Sequence, residues 1–158
     1  MTGQIDEIDL KILGLLQDNA RIKRSKIAEG TGLSIPSVTD RMQKLEKSGV
    51  IDSYVAKLNP KLLGKDITAF ILVISDSSAH YSEFVQHALK TPEVLECHSI
   101  TGEGSHILKI RTENTSTLEK LLSKIQSWKS VRFTRTSLVL SSHKESLKTD
   151  LTKSKTAL

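Results

Sequence analysis

The apolar residues of this chain change their spacing at Asn59-Pro60, and that change limits the fold more than any single motif. Ahead of it the period is helical. Ile5, Ile8, Ile12, Leu15 and Leu16 recur at i, i+3, i+7, i+10 and i+11, a single stripe that predicts a helix over about residues 6–18. Asp18-Asn19 favours a turn, and a short helix over about 24–30 follows with Ile27 and Ala28 inward. Thr31-Gly32 ends it, because glycine can take the left-handed conformation found at helix ends. A third helix is framed by Ser34 as N-cap, Pro36 in the first turn, where no backbone donor is needed, and Gly49 just past the end. Ile35, Val38, Met42 and Leu45 fall on one side of it and are assigned to the core. Two helices joined by a short glycine turn form a helix-turn-helix, here over about residues 24–43. The alternation of residues 50–58 predicts a short strand or pair of strands, a wing beside the third helix.

Beyond a linker over residues 61–65 the pattern becomes mixed. Apolar and alternating runs predict strands over 68–74, 94–101, 106–112 and 131–140, and helices over 81–89 and 116–125. The first of these helices would turn Phe84, Val85, Ala88 and Leu89 inward, the second Leu118, Leu121, Leu122 and Ile125. The order β-α-β-β-α-β is that of the ferredoxin-like sandwich, one antiparallel sheet with two helices on one face. The expected fold is therefore α+β: a winged helix-turn-helix domain over 1–60, the linker, a ferredoxin-like domain over 66–140, and a flexible tail over 141–158 rich in lysine, serine and threonine. A length of 158 residues suffices for two such small cores.

Composition narrows the function classes. Apolar residues make up 37%, and no run approaches the length of a bilayer span. The N-terminus has acidic residues where a signal peptide has basic ones, so the expected location is the cytoplasm. The single cysteine, Cys97, excludes an internal disulfide or a multi-cysteine zinc site and agrees with a reducing compartment. Cys97 and His98 are adjacent and would point to opposite faces of a strand, and the five histidines lack metal-ligand spacing. No paired carboxylates, nucleophile elbow or phosphate loop occur, so no catalytic residue and no metal ligand is nominated. A phosphatase of the acylphosphatase kind would need an arginine in the first strand-helix loop, and residues 75–80 supply none.

Charge is unevenly placed. The chain carries a net +5. Residues 1–20 hold Asp6, Glu7, Asp9 and Asp18 against Lys11, whereas residues 21–47 hold Arg21, Lys23, Arg24, Lys26, Arg41, Lys44 and Lys47 against Glu29, Asp40 and Glu46. One basic side on a small helix-turn-helix suits a phosphate backbone. On the third helix, Pro36, Ser37, Thr39, Asp40, Arg41, Lys44 and Lys47 face solvent on the helical wheel. Hydroxyls can bond bases or phosphates and arginine can bond a guanine edge with two N–H groups, so Arg41, Ser37 and Thr39 are expected to contact bases or nearby phosphates. Ser34, Lys44, Arg21, Lys23 and Arg24 are expected on the backbone. In the second domain Gly102 and Gly104 bracket Glu103 in a loop that could bring backbone N–H groups to a small ligand or a neighbouring subunit.

The sequence resembles the Lrp/AsnC, or feast/famine, family of transcription regulators over roughly residues 4–140. The resemblance is carried by IDEIDLKILGLLQDNAR, IAEGTGLS, VTDRMQKLEKSGVIDSYVAKLNPKLLG and PEVLECHSITGEGSHILKI. It implies a DNA-binding regulator whose C-terminal domain, similar to the family's RAM domain, forms dimers through its sheets, assembles dimers into octamers and can bind an amino acid between dimers. Double-stranded operator DNA and further copies of the chain are the implied partners, with no cofactor beyond an amino-acid or other small effector. The effector residues so implied are Thr101, Gly102, Glu103, Gly104, Ser105 and His106. Two departures stand out. Lys23 occupies a position where the family commonly has serine, and Gly102-Glu103-Gly104-Ser105-His106 stands where the family usually reads Gly-Asp-x-Asp-Tyr. A ligand-sensing or scaffolding oligomer without operator binding is the alternative reading.

Overall fold

The computed structural model describes residues 5–129 and 131–152. The chain divides into two units: the part up to Lys57 together with the segment from Lys144 onward, and Leu58–His143.

In the first unit α1 spans Glu7–Asp18. Asp6 caps it by accepting from the Asp9 N–H at 2.8 Å, and the Asp9 carboxylate accepts in return from the Asp6 N–H at 3.2 Å. This reciprocal pair satisfies two donors that a helix start leaves open. The second helix, α2, spans Arg24–Thr31, and Gly32 closes it at φ 72°, where a side chain would be strained. The third, α3, spans Ile35–Lys47; Ser34 Oγ accepts from the Ser37 N–H, and Pro36 lies in the first turn. Ile12, Leu16, Ile27, Ala28, Val38, Met42 and Leu45 form the core between the three helices.

Two expectations for this unit fail. Ile35 is 49% exposed rather than buried, because it sits at the first position of α3, ahead of the point where the other helices lie opposite the stripe. Residues 50–58 form neither strand of a wing. They run without ladder partners, held by the Tyr54 hydroxyl donating to Glu46 Oε1 at 2.8 Å and by Lys57 Nζ donating to the Glu145 carbonyl. Burial and the Glu46 carboxylate push the Tyr54 phenol up to about 12, so it remains a donor throughout the neutral range.

The second unit opens with a single 3-10 turn, Lys61–Leu63, inside the expected linker. Then follow β1 (Ile67–Ser75), α4 (Tyr81–Leu89), β2 (Val94–Ser99), β3 (His106–Thr112), α5 (Thr115–Gln126) and β4 (Val131–Leu138). The four strands form one antiparallel sheet in the order β2-β3-β1-β4, the ferredoxin-like arrangement expected from the sequence. Alternate residues of β1 and β3 (Ala69, Ile71, Val73, Leu108 and Ile110) point to one face and pack with Phe84, Ala88, Leu121, Ile125 and Trp128. Leu89, expected inward, is 71% exposed at the last position of α4, at the open edge of a shallow depression that it lines with β2. The other face of the sheet carries Phe70, Leu72 and Ile74, with Ile107 beside Leu72 and Phe133 beside Ile74. Phe70 is 38% and Phe133 52% exposed.

The segment expected to be a flexible tail contains no helix or strand over 141–152, yet it is tied down. The Thr149 N–H donates to Gln17 Oε1 at 2.6 Å, Gln17 Nε2 donates to the Thr149 carbonyl at 3.1 Å, and Lys148 pairs with Asp18. One side-chain amide thus satisfies both backbone groups of Thr149, much as a neighbouring strand would. Residues 1–4 and 153–158 of the expected domain and tail lie outside the described residues.

Candidate nucleic-acid interface

The start of α3 follows from its cap and its proline, and the outward face is what remains after Val38, Met42 and Leu45 turn inward. Exposed on it are Ile35, Pro36, Ser37, Asp40, Gln43, Lys44 and Lys47. The polar groups are paired locally and loosely. Ser34 Oγ and Ser37 Oγ are 2.8 Å apart, and Lys44 Nζ lies 2.7 Å from Asp40. An exposed pair one turn apart contributes at most about 1 kcal/mol, so Lys44 can exchange Asp40 for a phosphate at little cost. Thr39 is half-buried and its hydroxyl donates to the Ile35 carbonyl of its own helix at 2.9 Å, which takes it from the set of free hydroxyls.

Arg41 departs most from expectation. Rather than projecting to solvent, its Nη1 donates to Asp6 at 2.7 Å and to Asp9 at 2.8 Å, with the side chain 29% exposed. The two carboxylates of the α1 capping box draw it across, since they gather negative charge that a cation can share. Hydrogen bonds to Asp9 and Asp6 raise the guanidinium pKa further, while Asp6 is held below the usual carboxylate value by the Asp9 N–H and then by Arg41. Arg41 therefore joins α3 to the start of α1. Gln43 and Ile35, by contrast, are exposed and were absent from the expected contacts. Gln43 is three residues past Asp40 and seven past Pro36, a helical spacing that a search for basic and hydroxyl residues overlooks.

On the neighbouring elements Arg21, Lys23 and Arg24 are all exposed. Lys23 is the N-cap of α2 and gives it no side-chain acceptor. The cap site thus carries a cation at a helix end that already has partial positive charge, an arrangement that suits an anion and not the helix itself.

The loop after β2 divides into an outer and an inner half. Gly102 has φ 105°, and Thr101, Gly102 and Glu103 are exposed. Glu103 lies 3.1 Å from Arg135 on β4. A Cβ on Gly104 would meet Leu72 Cδ1 at 2.5 Å and the Val73 carbonyl at 3.1 Å, so the chain can pass only without a side chain. Ser105 is committed to β1: its N–H and Oγ both donate to the Val73 carbonyl, at 2.9 and 3.1 Å, and its Oγ lies 3.0 Å from Ser75 Oγ. His106 is fully buried, with Nδ1 3.1 Å from Ser105 Oγ and its ring centroid 4.8 Å from Tyr81 and 4.6 Å from Phe84. It belongs to the core rather than to a ligand-facing surface, and burial lowers its pKa. Two depressions of about 180 and about 100 Å³ lie elsewhere in this unit, the larger lined by Glu93, Thr117, Lys120, Leu121 and Lys124 and the smaller by the end of α4 and β2.

A helix-turn-helix with exposed basic residues on its second and third helices, followed by a ferredoxin-like unit, is the architecture of a DNA-binding transcription regulator. A family model described as winged helix-turn-helix DNA-binding matches residues 5–52, and one described as the Lrp/AsnC ligand binding domain matches residues 68–149. The chain belongs to the Lrp/AsnC family. It is 38% identical to the HTH-type transcriptional regulator FL11 of Pyrococcus furiosus over 92% of this chain and 95% of that one. Among solved structures it is similar to a transcriptional regulator of Neisseria meningitidis in complex with L-methionine, with 29% identity, a TM-score of 0.88 and coverage of 93% and 97%. It is also similar to AsnC of E. coli, with 30% identity, a TM-score of 0.83 and coverage of 89% and 95%. Regulators rather than enzymes make up these relatives, and no helix among the described residues is long and apolar enough to cross a membrane.

Proposed function

We propose that this regulator acts in the cytoplasm and binds a roughly palindromic operator as a dimer, with α3 of each copy in successive major grooves about 34 Å apart or a multiple of it. The observation that carries the reading is the outward face of α3: capped, hydroxyl-rich at its start and basic toward its end, on a domain whose family binds DNA. Ser37, Gln43 and Lys44 are the residues we assign to base edges, with Pro36 and Asp40 lining the same face. Ser34, Arg21, Lys23 and Arg24 are assigned to phosphates, while Arg41 sets the pose of α3 and Thr39 braces its first turns.

Dimerisation is supported by the outer sheet face, where Phe70, Leu72, Ile74, Ile107 and Phe133 form an apolar band opposite the face on which α4 and α5 pack. A second copy of the same sheet would cover it symmetrically, and dimers of dimers could follow. An amino acid is the proposed effector, supported by the methionine-bound relative. Its ammonium group would have to compete with Arg135 for Glu103 at the outer half of the loop. Footprinting of the purified protein on its own upstream DNA tests the operator reading. Two protected half-sites on one face of the duplex are expected; light scattering showing an oligomer that protects no DNA would instead favour a scaffold without an operator. Calorimetric titration with L-methionine and other amino acids tests the effector.

A further inference from the structure

Ile35 is an apolar residue of α3 that the core between the helices does not use. It is 49% exposed, whereas Val38, Met42 and Leu45 of the same helix are buried, and it is absent from the group packed between the helices. Helix formation does not call for it, since a β-branched side chain at the first helical position lowers propensity slightly. A single exposed isoleucine is ordinary on a protein surface. This one, however, stands beside exposed Pro36 and between Ser34 and Ser37, at the end of α3 that enters a major groove when a helix-turn-helix binds. Beside the two serine hydroxyls, which bond each other in the free protein, this turn offers outward the Ile35 side chain and the Pro36 ring.

In the major groove one base pair differs from the others by an apolar group: thymine carries a 5-methyl, which aliphatic side chains contact. We propose that Ile35 reads thymine through this methyl, so that each half-site holds a thymine at a fixed position selected by apolar contact rather than by a hydrogen bond. The inference rests on the assignment of α3 as the base-reading helix. Its neighbours supply the charge that would hold it there: Arg21, Lys23 and Arg24 precede and Lys44 and Lys47 follow, all exposed. Burying one methyl against another apolar group changes an equilibrium roughly fourfold.

The test begins with an operator selected from a random-sequence duplex library by the full-length protein. Each thymine is then replaced singly by deoxyuridine, which removes the methyl and leaves the pairing intact, and affinity is read by fluorescence anisotropy. Replacement at one position per half-site is expected to weaken binding about three- to fivefold. Ile35→Ala should bind the parent operator more weakly by a similar factor and lose the distinction between thymine and uracil at that position, while Ile35→Val keeps part of it. The side chain is outside the core, so circular dichroism of Ile35→Ala should be unchanged. Recovery of an operator with no methyl-sensitive thymine, or sensitivity that persists in Ile35→Ala, would overturn the inference and leave the operator reading standing. A change of oligomeric state in Ile35→Ala with methyl discrimination intact would overturn it too and assign the residue to a second copy. Failure to recover any preferred sequence would overturn the operator reading, and this inference with it.

Discussion

The outer face of α3 and the loop over residues 101–106 were both candidate sites, and their polar groups are held in opposite ways. On α3 the partners lie within one turn and in water: Ser34 with Ser37, Asp40 with Lys44. In the loop, Ser105 is bonded three times to β1 and His106 is shut inside against Tyr81 and Phe84. Surface pairs can exchange partners for at most about 1 kcal/mol each, whereas withdrawing a buried hydrogen-bonding group leaves its partner orphaned at about 1–3 kcal/mol. The first face is thus free to rearrange on a ligand, and only Thr101, Gly102 and Glu103 of the loop share that freedom.

The largest effect that could break this contrast comes from His106→Ala. If His106 is core, its truncation should lower unfolding stability by about 3 kcal/mol, in the range of a buried aromatic, and leave operator affinity of the folded protein unchanged. A ligand-facing histidine would show the reverse in urea titrations and binding isotherms. Its pH dependence has a definite sign. Above the ordinary value of 6.5 the imidazole is neutral in both states; below it the unfolded chain takes up a proton first, because burial lowers the folded-state value. Stability should therefore fall as pH drops below about 6.5 and level off beneath the folded value, and His106→Phe should flatten that limb relative to wild type.

Arg41 comes next. As a brace between α3 and the α1 capping box, Arg41→Ala should weaken specific binding by about 1–3 kcal/mol, much as loss of a base contact would. Asp9→Asn helps to separate the two, because Asp9 is on α1 and its hydrogen bond to α3 is made to Arg41. A brace predicts that Asp9→Asn also lowers specific affinity and that the double variant is no worse than Arg41→Ala alone. Unaltered affinity in Asp9→Asn would return Arg41 to the base-reading set. A smaller effect, about 1–2 kcal/mol of stability, is expected for Gly104→Ala, since Leu72 must give way while the Val73 carbonyl cannot. Thermal unfolding that matches wild type would show that the inner half of the loop is looser than its hydrogen bonds suggest.

These residues also mark where the amino-acid sequence stops being informative. Periodicity and caps locate α1, α3 and all four strands because those signals are local: the α1 stripe repeats within its own turns, and Ser34 and Gly49 act on neighbours within a few positions. A helical wheel gives direction but not how much lies opposite, so Ile35 and Leu89, at helix ends, share the stripe of the core residues and are nonetheless exposed. Arg41 finds Asp6 and Asp9 across 35 and 32 positions, and Gln17 finds Thr149 across 132. Such pairs depend on how the helices meet, which residue types alone do not reveal. The alternation of residues 50–58 predicts a strand or pair of strands, yet a strand also needs a partner, and none of these residues joins a ladder. Ser105 and His106 are implied at a ligand site by the resemblance, with His106 opening a strand; the register of β3 against β1 turns His106 inward beside Val73.

Lys23→Ser should have the smallest effect on fold and the most informative sign. Lys23 caps α2 without a side-chain bond, so serine at that position would add the missing acceptor and raise stability by about 0.5–1 kcal/mol. It would also remove one cation from the side assigned to phosphates. Each phosphate neutralised releases condensed counterions, and losing one contact should reduce the salt slope of binding by about 0.9 and weaken all DNA sequences alike. Stability and affinity should therefore move in opposite directions, which neither a structural role nor a merely solvated lysine produces. A variant that is more stable and binds operator and random duplex as tightly as wild type, with the same salt slope, would remove Lys23 from the interface. It would also shift the phosphate contacts toward Arg21 and Arg24, which flank it and have no helix cap to offer in exchange.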